Sequence, residues 1–350
     1  MSSLCRFVPL TLLVACAATN FDSQTILQSV RFLGTRIDKP YARPSDRVTL
    51  ETLAIDARID RSSPMKVFWI PVPCINPQRD LYYMCFSQLS GKSGGSSLGP
   101  LPPDGDITAL LPTGNTFSMT LPSDIITTHP VVAGAVDPYG MAVVFNIACT
   151  GRVKVVAAES ASPQAPPLGC FDNAGNRLGA DDYVIGLTRV YAYDTRTNAN
   201  PVIDALLVQG QPVSSDKLLF AQPSDPAPTD PPLDDTAFGI VVDRCTEGKR
   251  GGCPEIAMDV TVPASSQEWN PGDLDKNGNP QREQLWASYY ATSGDFGSDA
   301  RLLYEPSQGK ISDSANKYRA NQTPGDGIVW VVVHDNRGGT QWVGTRVRVR

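Results

Sequence analysis

The segment Arg47–Ile55 (RVTLETLAI) alternates cleanly, with Val48, Leu50, Thr52 and Ala54 on one side and charged or exposed partners expected on the other. A period of two predicts a strand with one buried face. Pro44-Ser45-Asp46 before it supplies turn chemistry. Further extended runs occur at Ile26–Leu33, Met65–Val72 (with Trp69 as a core candidate), Thr116–Leu121 and Tyr183–Tyr193. Met141–Ala148 is apolar on both faces, which predicts a central strand covered from both sides. Asn198-Ala199-Asn200-Pro201 reads as a domain junction. Beyond it Val202–Val208 takes the role of Ile26–Leu33, and strands are predicted at Ile256–Val262, Gln284–Ala291, Arg301–Tyr304 and Ile328–Val333. The last hairpin is the clearest element: the apolar run enters Asp335-Asn-Arg-Gly-Gly339, and Gln341–Arg350 returns with alternation. Gly91–Gly105, Ala161–Leu168 and Gln222–Asp235 lack periodicity, and the prolines of the last forbid both helix and ladder. No helical period appears beyond the first twenty residues. Many short strands with Gly/Pro turns predict an all-β chain of sandwiches or barrels.

Composition narrows this further. Of 350 residues 41% are hydrophobic and 19% charged, with 29 Gly and 30 Pro. That is too apolar for disorder and too rich in breakers for a helical bundle. The length suggests two domains. A net charge of −6 argues against nucleic acid as the partner, because phosphate neutralisation needs a basic field. Two His residues nearly exclude a multi-His metal site.

Arg6 is a short positive n-region, and Phe7–Ala15 is an apolar h-region too short to span a bilayer. It ends in Leu13-Val14-Ala15-Cys16, which resembles the lipobox of bacterial lipoproteins. That resemblance implies a signal peptide over residues 1–15, lipidation at Cys16, a tether over 16–25, and a cell-envelope location. Ala17 after the Cys favours the outer membrane. Acyl chains contribute roughly 0.8 kcal/mol per buried CH₂, so a multiply acylated Cys16 would anchor the chain to a membrane. Six of the eight Cys then remain: Cys74, Cys85, Cys149, Cys170, Cys245 and Cys253. An even number in an exported chain predicts disulfides. Six allow fifteen pairings, and we expect sequence neighbours: 74–85, 149–170 and 245–253. The lack of a Cys-x-x-Cys pair argues against zinc.

Pro324–Thr340 resembles the F–G hairpin of bacterial Ig-like and PKD-type domains, and Ala42–Asp56 resembles their A′–B region. Taken together, the chain resembles myxobacteria-like Gram-negative lipoproteins with Ig-like domains. The resemblance implies two Ig-like β-sandwich domains in tandem, over 26–197 (with long loop insertions) and 198–350 (PKD-like). It implies a fold and no chemistry.

The strongest candidate site is Asp273-Leu-Asp275-Lys-Asn277-Gly-Asn279, with Glu283 following. Hard cations need clustered oxygens, and this spacing places several around a tight Gly turn, so calcium is expected as the ligand. The following run reads as a strand, so the loop is not an EF-hand. Trp269 and Trp342 are candidate sugar-stacking platforms, whereas Trp286 and Trp330 are assigned to the core. Gly95-Ser-Ser97-Leu-Gly99 matches a nucleophile elbow but lies in a Gly/Ser loop without the strand and helix it needs, and only His129 and His334 could serve as base. Ser90-Gly-Lys-Ser93 lacks the upstream Gly of a phosphate loop. Arg346, Arg348 and Arg350 mark the solvent face of the last strand, where charge discourages edge pairing. These features predict no enzyme. They predict an envelope interaction protein with a protein partner or, alternatively, a calcium-assisted surface carbohydrate-binding module.

Overall fold

The computed structural model describes residues 23–86, 105–130, 137–156, 166–223, 233–247 and 252–350. They fold as strands joined by turns and by 3₁₀ segments such as Gln78–Asp80 and Tyr82–Cys85. Among the described residues no helix is long and apolar enough to cross a membrane.

The first half is a sandwich. One sheet is antiparallel, in the order Val30–Ile37, Arg47–Asp56, Thr116–Thr120. The other runs Tyr41–Ala42, Tyr183–Tyr193, Tyr139–Cys149, Lys66–Trp69. Val48, Leu50 and Met119 of the first sheet pack on Trp69, Val144 and Val190 of the second. The Trp69 indole N–H, buried there, donates to the Gly114 carbonyl at 2.8 Å. The opposite face of the second sheet is covered as well. Phe68, Val143, Phe145 and Ile147 meet Ile107, Leu111, Val153 and Leu168, so Tyr139–Cys149 is buried on both sides as its sequence predicts. Part of this cover is a ribbon, Arg152–Val155 with Leu168–Phe171, whose strands flank the proline-rich stretch Ala161–Leu168. The disulfide Cys149–Cys170 fastens it to the sheet, Cys74–Cys85 ties the Tyr82–Cys85 turn to the same sheet, and Cys245–Cys253 closes a loop in the second half. All three expected pairs form. Each constrains the unfolded chain by roughly 2–4 kcal/mol.

The second half is also a sandwich. Its smaller sheet runs Gln211–Pro212, Ala205–Val208, Glu255–Thr261, Asn316–Arg319, Asp295–Phe296. The larger centres on Leu285–Ala291, Gly325–Asp335 and Thr340–Val349, and the last two form the predicted hairpin with Val331 opposite Val343. Met258, Val260 and Tyr318 pack on Tyr289, Val331 and Val343.

The sandwiches lie face to face. Leu33, Leu53 and Ile55, on the outer face of the three-stranded sheet, bury against Trp330, Val332 and Trp342. This is why Arg47–Asp56 alternates through its first half and then becomes buried at every position. A Cβ on Gly34 would stand 3.2 Å from both Thr340 Cγ2 and Val332 Cγ1, so the close approach suits glycine. Residues on either side of the contact are also hydrogen-bonded. Arg36 donates to Gln341 Oε1 at 2.6 Å and lies 4.8 Å from the Trp342 ring centroid, and the Asp56 N–H donates to Gln222 Oε1 at 2.8 Å. The segment expected to end the tether and open the first strand is stitched to the second sandwich instead. The Leu27 N–H donates to the Ala291 carbonyl at 2.8 Å, and the Ala291 N–H donates to the Thr25 carbonyl at 2.7 Å.

Candidate functional site

Tyr183–Tyr193 pairs with Tyr139–Cys149 along its whole length on one side. On the other side it pairs only at Tyr191 and Ala192, with Tyr41 and Ala42. Val30–Ile37 ends its own sheet, so it too has an open edge. The two edges run side by side and are joined at one end by the Val30 N–H donating to the Asp181 carbonyl at 2.8 Å. A groove of about 730 Å³ follows them. Phe32–Thr35 and Ile37 line one wall, Gly186–Arg189 the other, and the Asn336–Gly338 turn of the second sandwich closes it from above.

Four tyrosines gather at one end. The register places Tyr41, Tyr139, Tyr191 and Tyr193 on three adjacent strands. Their ring centroids lie 4.6 Å (Tyr41–Tyr193), 5.8 Å (Tyr139–Tyr193) and 5.9 Å (Tyr139–Tyr191) apart. All four are half-buried. Burial raises each hydroxyl above the ordinary tyrosine range, so they stay protonated donors at neutral pH. The Tyr139 hydroxyl donates to Asp80, whose other oxygen lies 2.8 Å from His129 Nε2. Arg79 and Asp80 both have left-handed backbones (φ 57° and 58°), a strained arrangement held by these side-chain contacts.

Deeper in the groove, Asn146 is 2% exposed and its amide nitrogen has no hydrogen-bond partner among the described residues. Opposite it stands Gly186, where a Cβ would come within 2.4 Å of Asn146 Oδ1. Arg189 is exposed at the rim and makes no ion pair among the described residues.

The turn above the groove is held by buried charge. Asp335 accepts the Arg337 and Gly339 N–H groups at 2.7 and 2.8 Å and the Asn198 amide at 3.2 Å. Arg337 reaches Asp273 at 2.6 Å and Glu283 at 2.9 Å. Arg196, from the segment joining the halves, pairs with Asp273 and with Asp137 at 3.1 Å. Burial, helped by the Asp335 charge and opposed by Arg337, pushes the Glu283 carboxyl up to about 7. Burial alone pushes His334 down to about 4, and its ring stacks on Trp286 at 5.4 Å.

This network redirects the expected calcium ligands. Asp273 and Glu283 come together, but around Arg337. Asp275 turns onto its own loop, accepting the Asn277 and Asn279 N–H groups at 2.8 Å each. The five oxygen-bearing residues therefore do not converge, and among the described residues no group of three or more His, Cys, Asp or Glu side chains is placed to hold a metal. Trp269 is exposed, with its indole N–H donating to the Asp273 carbonyl at 3.3 Å. Trp342 is a correction. It is 1% exposed in the contact between sandwiches, with its indole N–H donating to the Phe220 carbonyl at 2.7 Å, and offers no stacking platform. Arg348 and Arg350 pair with Asp235, and Arg348 also with Asp326. Cys16, Ser97 and the Ser90–Ser93 motif lie outside the described residues.

The tyrosines, Asn146 and Arg189 were not singled out by sequence reasoning. The available signal was Tyr191-Ala-Tyr193, two hydroxyl-bearing rings on the same face of one strand.

No family model matches the chain, and no curated protein matches it. Among solved structures, it is similar to the fibronectin(III)-like modules of Clostridium thermocellum CbhA at 10% identity, covering 90% of this chain and 92% of that one, with a TM-score of 0.19. It is also similar to trypsin-activated alpha-2-macroglobulin from Escherichia coli, at 11% identity over 94% of this chain and 18% of that one, again with a TM-score of 0.19. Dimeric latent PorU from Porphyromonas gingivalis is similar at 9% identity over 93% of this chain and 24% of that one, with a TM-score of 0.19. The chain thus spans a quarter or less of the last two. Likenesses of this size carry no weight for function.

Proposed function

We propose that the chain is a non-catalytic binding module of the cell envelope, anchored at Cys16 and holding a protein partner in the groove between the sheet edges of its first sandwich, beneath the Asn336–Gly338 turn of the second. One observation carries this reading: half-buried tyrosines and an arginine without an ion pair among the described residues line a concave seam between the two sheet edges of the first sandwich, covered by a turn of the second. Tyr and Arg are the side chains that most often dominate binding energy at protein interfaces. The seat is also stiff. The buried Arg337 and Arg196 pairs fix the turn above it, and the apolar contact beneath fixes the sheets.

Tagged chain should be captured from cells after crosslinking, alongside a Tyr191→Ala/Tyr193→Ala variant and a Trp269→Ala variant. The expected result is one dominant protein, lost with the tyrosine pair and kept with Trp269→Ala. Retention by the tyrosine variant would contradict the reading. Glycan capture that depends on Trp269 would favour the alternative of a carbohydrate-binding module.

A further inference from the structure

Resting on that reading, we infer that the groove takes an extended polypeptide segment, which adds as a strand along the open edge of Tyr183–Arg189 and presents a carboxylate to Arg189. The lining itself is the first argument. On a sheet face only alternate residues of a strand meet a groove. Here runs of consecutive residues do so, Phe32–Thr35 on one wall and Gly186–Arg189 on the other. The groove therefore looks onto strand edges, where backbone N–H and C=O groups have no ladder partner. An extended polypeptide repeats donors and acceptors at the same pitch, and edge pairing of this kind is an established mode of peptide recognition.

The flanking residues fit such an occupant. Natural sheets blunt an exposed edge with Pro, charge or a covering loop. The edge run Tyr183–Thr188 carries neither Pro nor charge, and its residues stay partly exposed. The open stretch is bounded at one end by the Val30–Asp181 bond and at the other by the Asn200 amide, which donates to the Ile37 carbonyl at 2.7 Å. Arg189, exposed and without an ion pair among the described residues, selects for an acidic side chain. The tyrosines offer broad, stiff contact area for the rest of the segment.

The test uses a displayed library of random dodecapeptides, panned on the full chain. Recovered peptides should carry an acidic residue among alternating apolar ones. Their binding should slow amide exchange within residues 183–190 by about tenfold or more. It should weaken by about tenfold with Arg189→Glu, an exposed position whose change leaves the melting temperature unmoved. Copies N-methylated at alternate residues, which cannot donate to a ladder, should bind at least as poorly. Peptides that bind equally when N-methylated, or that leave those amides unprotected, overturn the inference. So does a library that yields nothing while the cellular partner still depends on Tyr191 and Tyr193, an outcome that leaves the proposed function standing. Binding of a peptidoglycan-derived oligosaccharide that requires Tyr193 would assign the groove to glycan and overturn the inference as well. If neither peptide, oligosaccharide nor cellular partner depends on the groove, both readings fail together.

Discussion

Glu283 and His334, both in the second sandwich, are shifted in opposite directions. The Glu283 side chain is fully buried, and its carboxyl sits at about 7, above its ordinary value of 4.5. Its folded state therefore favours the protonated form, so its contribution is fully present in acid and is lost as pH rises through about 7. His334, at about 4 against an ordinary 6.5, favours the neutral form, so its contribution is present above 6.5 and lost as pH falls through about 4. Melting temperature should accordingly be highest at mildly acidic pH and fall on both sides. Glu283→Gln should flatten the alkaline flank and His334→Phe the acid flank. Unchanged profiles in both variants would contradict the assignment. Removing Arg337 is expected to be harsher. Arg337→Leu would leave Glu283 unpaired and Asp273 with only Arg196, at a cost of roughly 3–5 kcal/mol by chemical denaturation. Because the acids already face guanidinium groups, calcium at millimolar levels should leave the melting temperature of the EDTA-treated protein unmoved. A clear rise would show that the Asp273–Glu283 loop rearranges around the ion.

Among the elements, those with a clean local pattern were legible. Tyr183–Tyr193 is found at the predicted bounds, and Arg47–Asp56, Thr116–Thr120 and the closing hairpin lie within one to three residues of theirs. The short pieces were not legible. Arg152–Val155, Leu168–Phe171 and Asn316–Arg319 are four residues each, too brief for a period to show, and their strand character comes from the partners they meet. Trp342 shows a second limit. Alternation identifies a face but not what covers it, and the outer face of the closing hairpin is covered by the other sandwich. Trp342→Ala should therefore act as a core truncation, costing about 3–5 kcal/mol. Gly34→Val, which thrusts methyls toward Thr340 and Val332, should cost about 1–3 kcal/mol. The groove was illegible for a related reason: an open strand edge is a property of sheet order, and sheet order is set by contacts between residues far apart in sequence.

For the whole molecule, face-to-face packing has a measurable signature. The first sandwich's sheet is buried on both sides, and the N-terminal segment 25–27 bonds to the second sandwich. The folded chain should scatter X-rays as one compact body with a radius of gyration of about 20 Å, and not as two beads end to end. It should also unfold in one transition, because the Trp330–Trp342 contact cannot be lost without exposing both sheets. The same packing brings the Asn336–Gly338 turn over the open edges of the first sandwich, so the groove exists only while the two halves stay together. The most direct test is photo-crosslinking in cells from single positions in the full chain: Leu187 and Thr35 within the groove, and Lys310, exposed on the short strand Gly309–Lys310 and absent from the groove lining. One dominant protein adduct is expected from Leu187 and Thr35, and none from Lys310. Equal adducts from all three positions, or none from the groove, would contradict it.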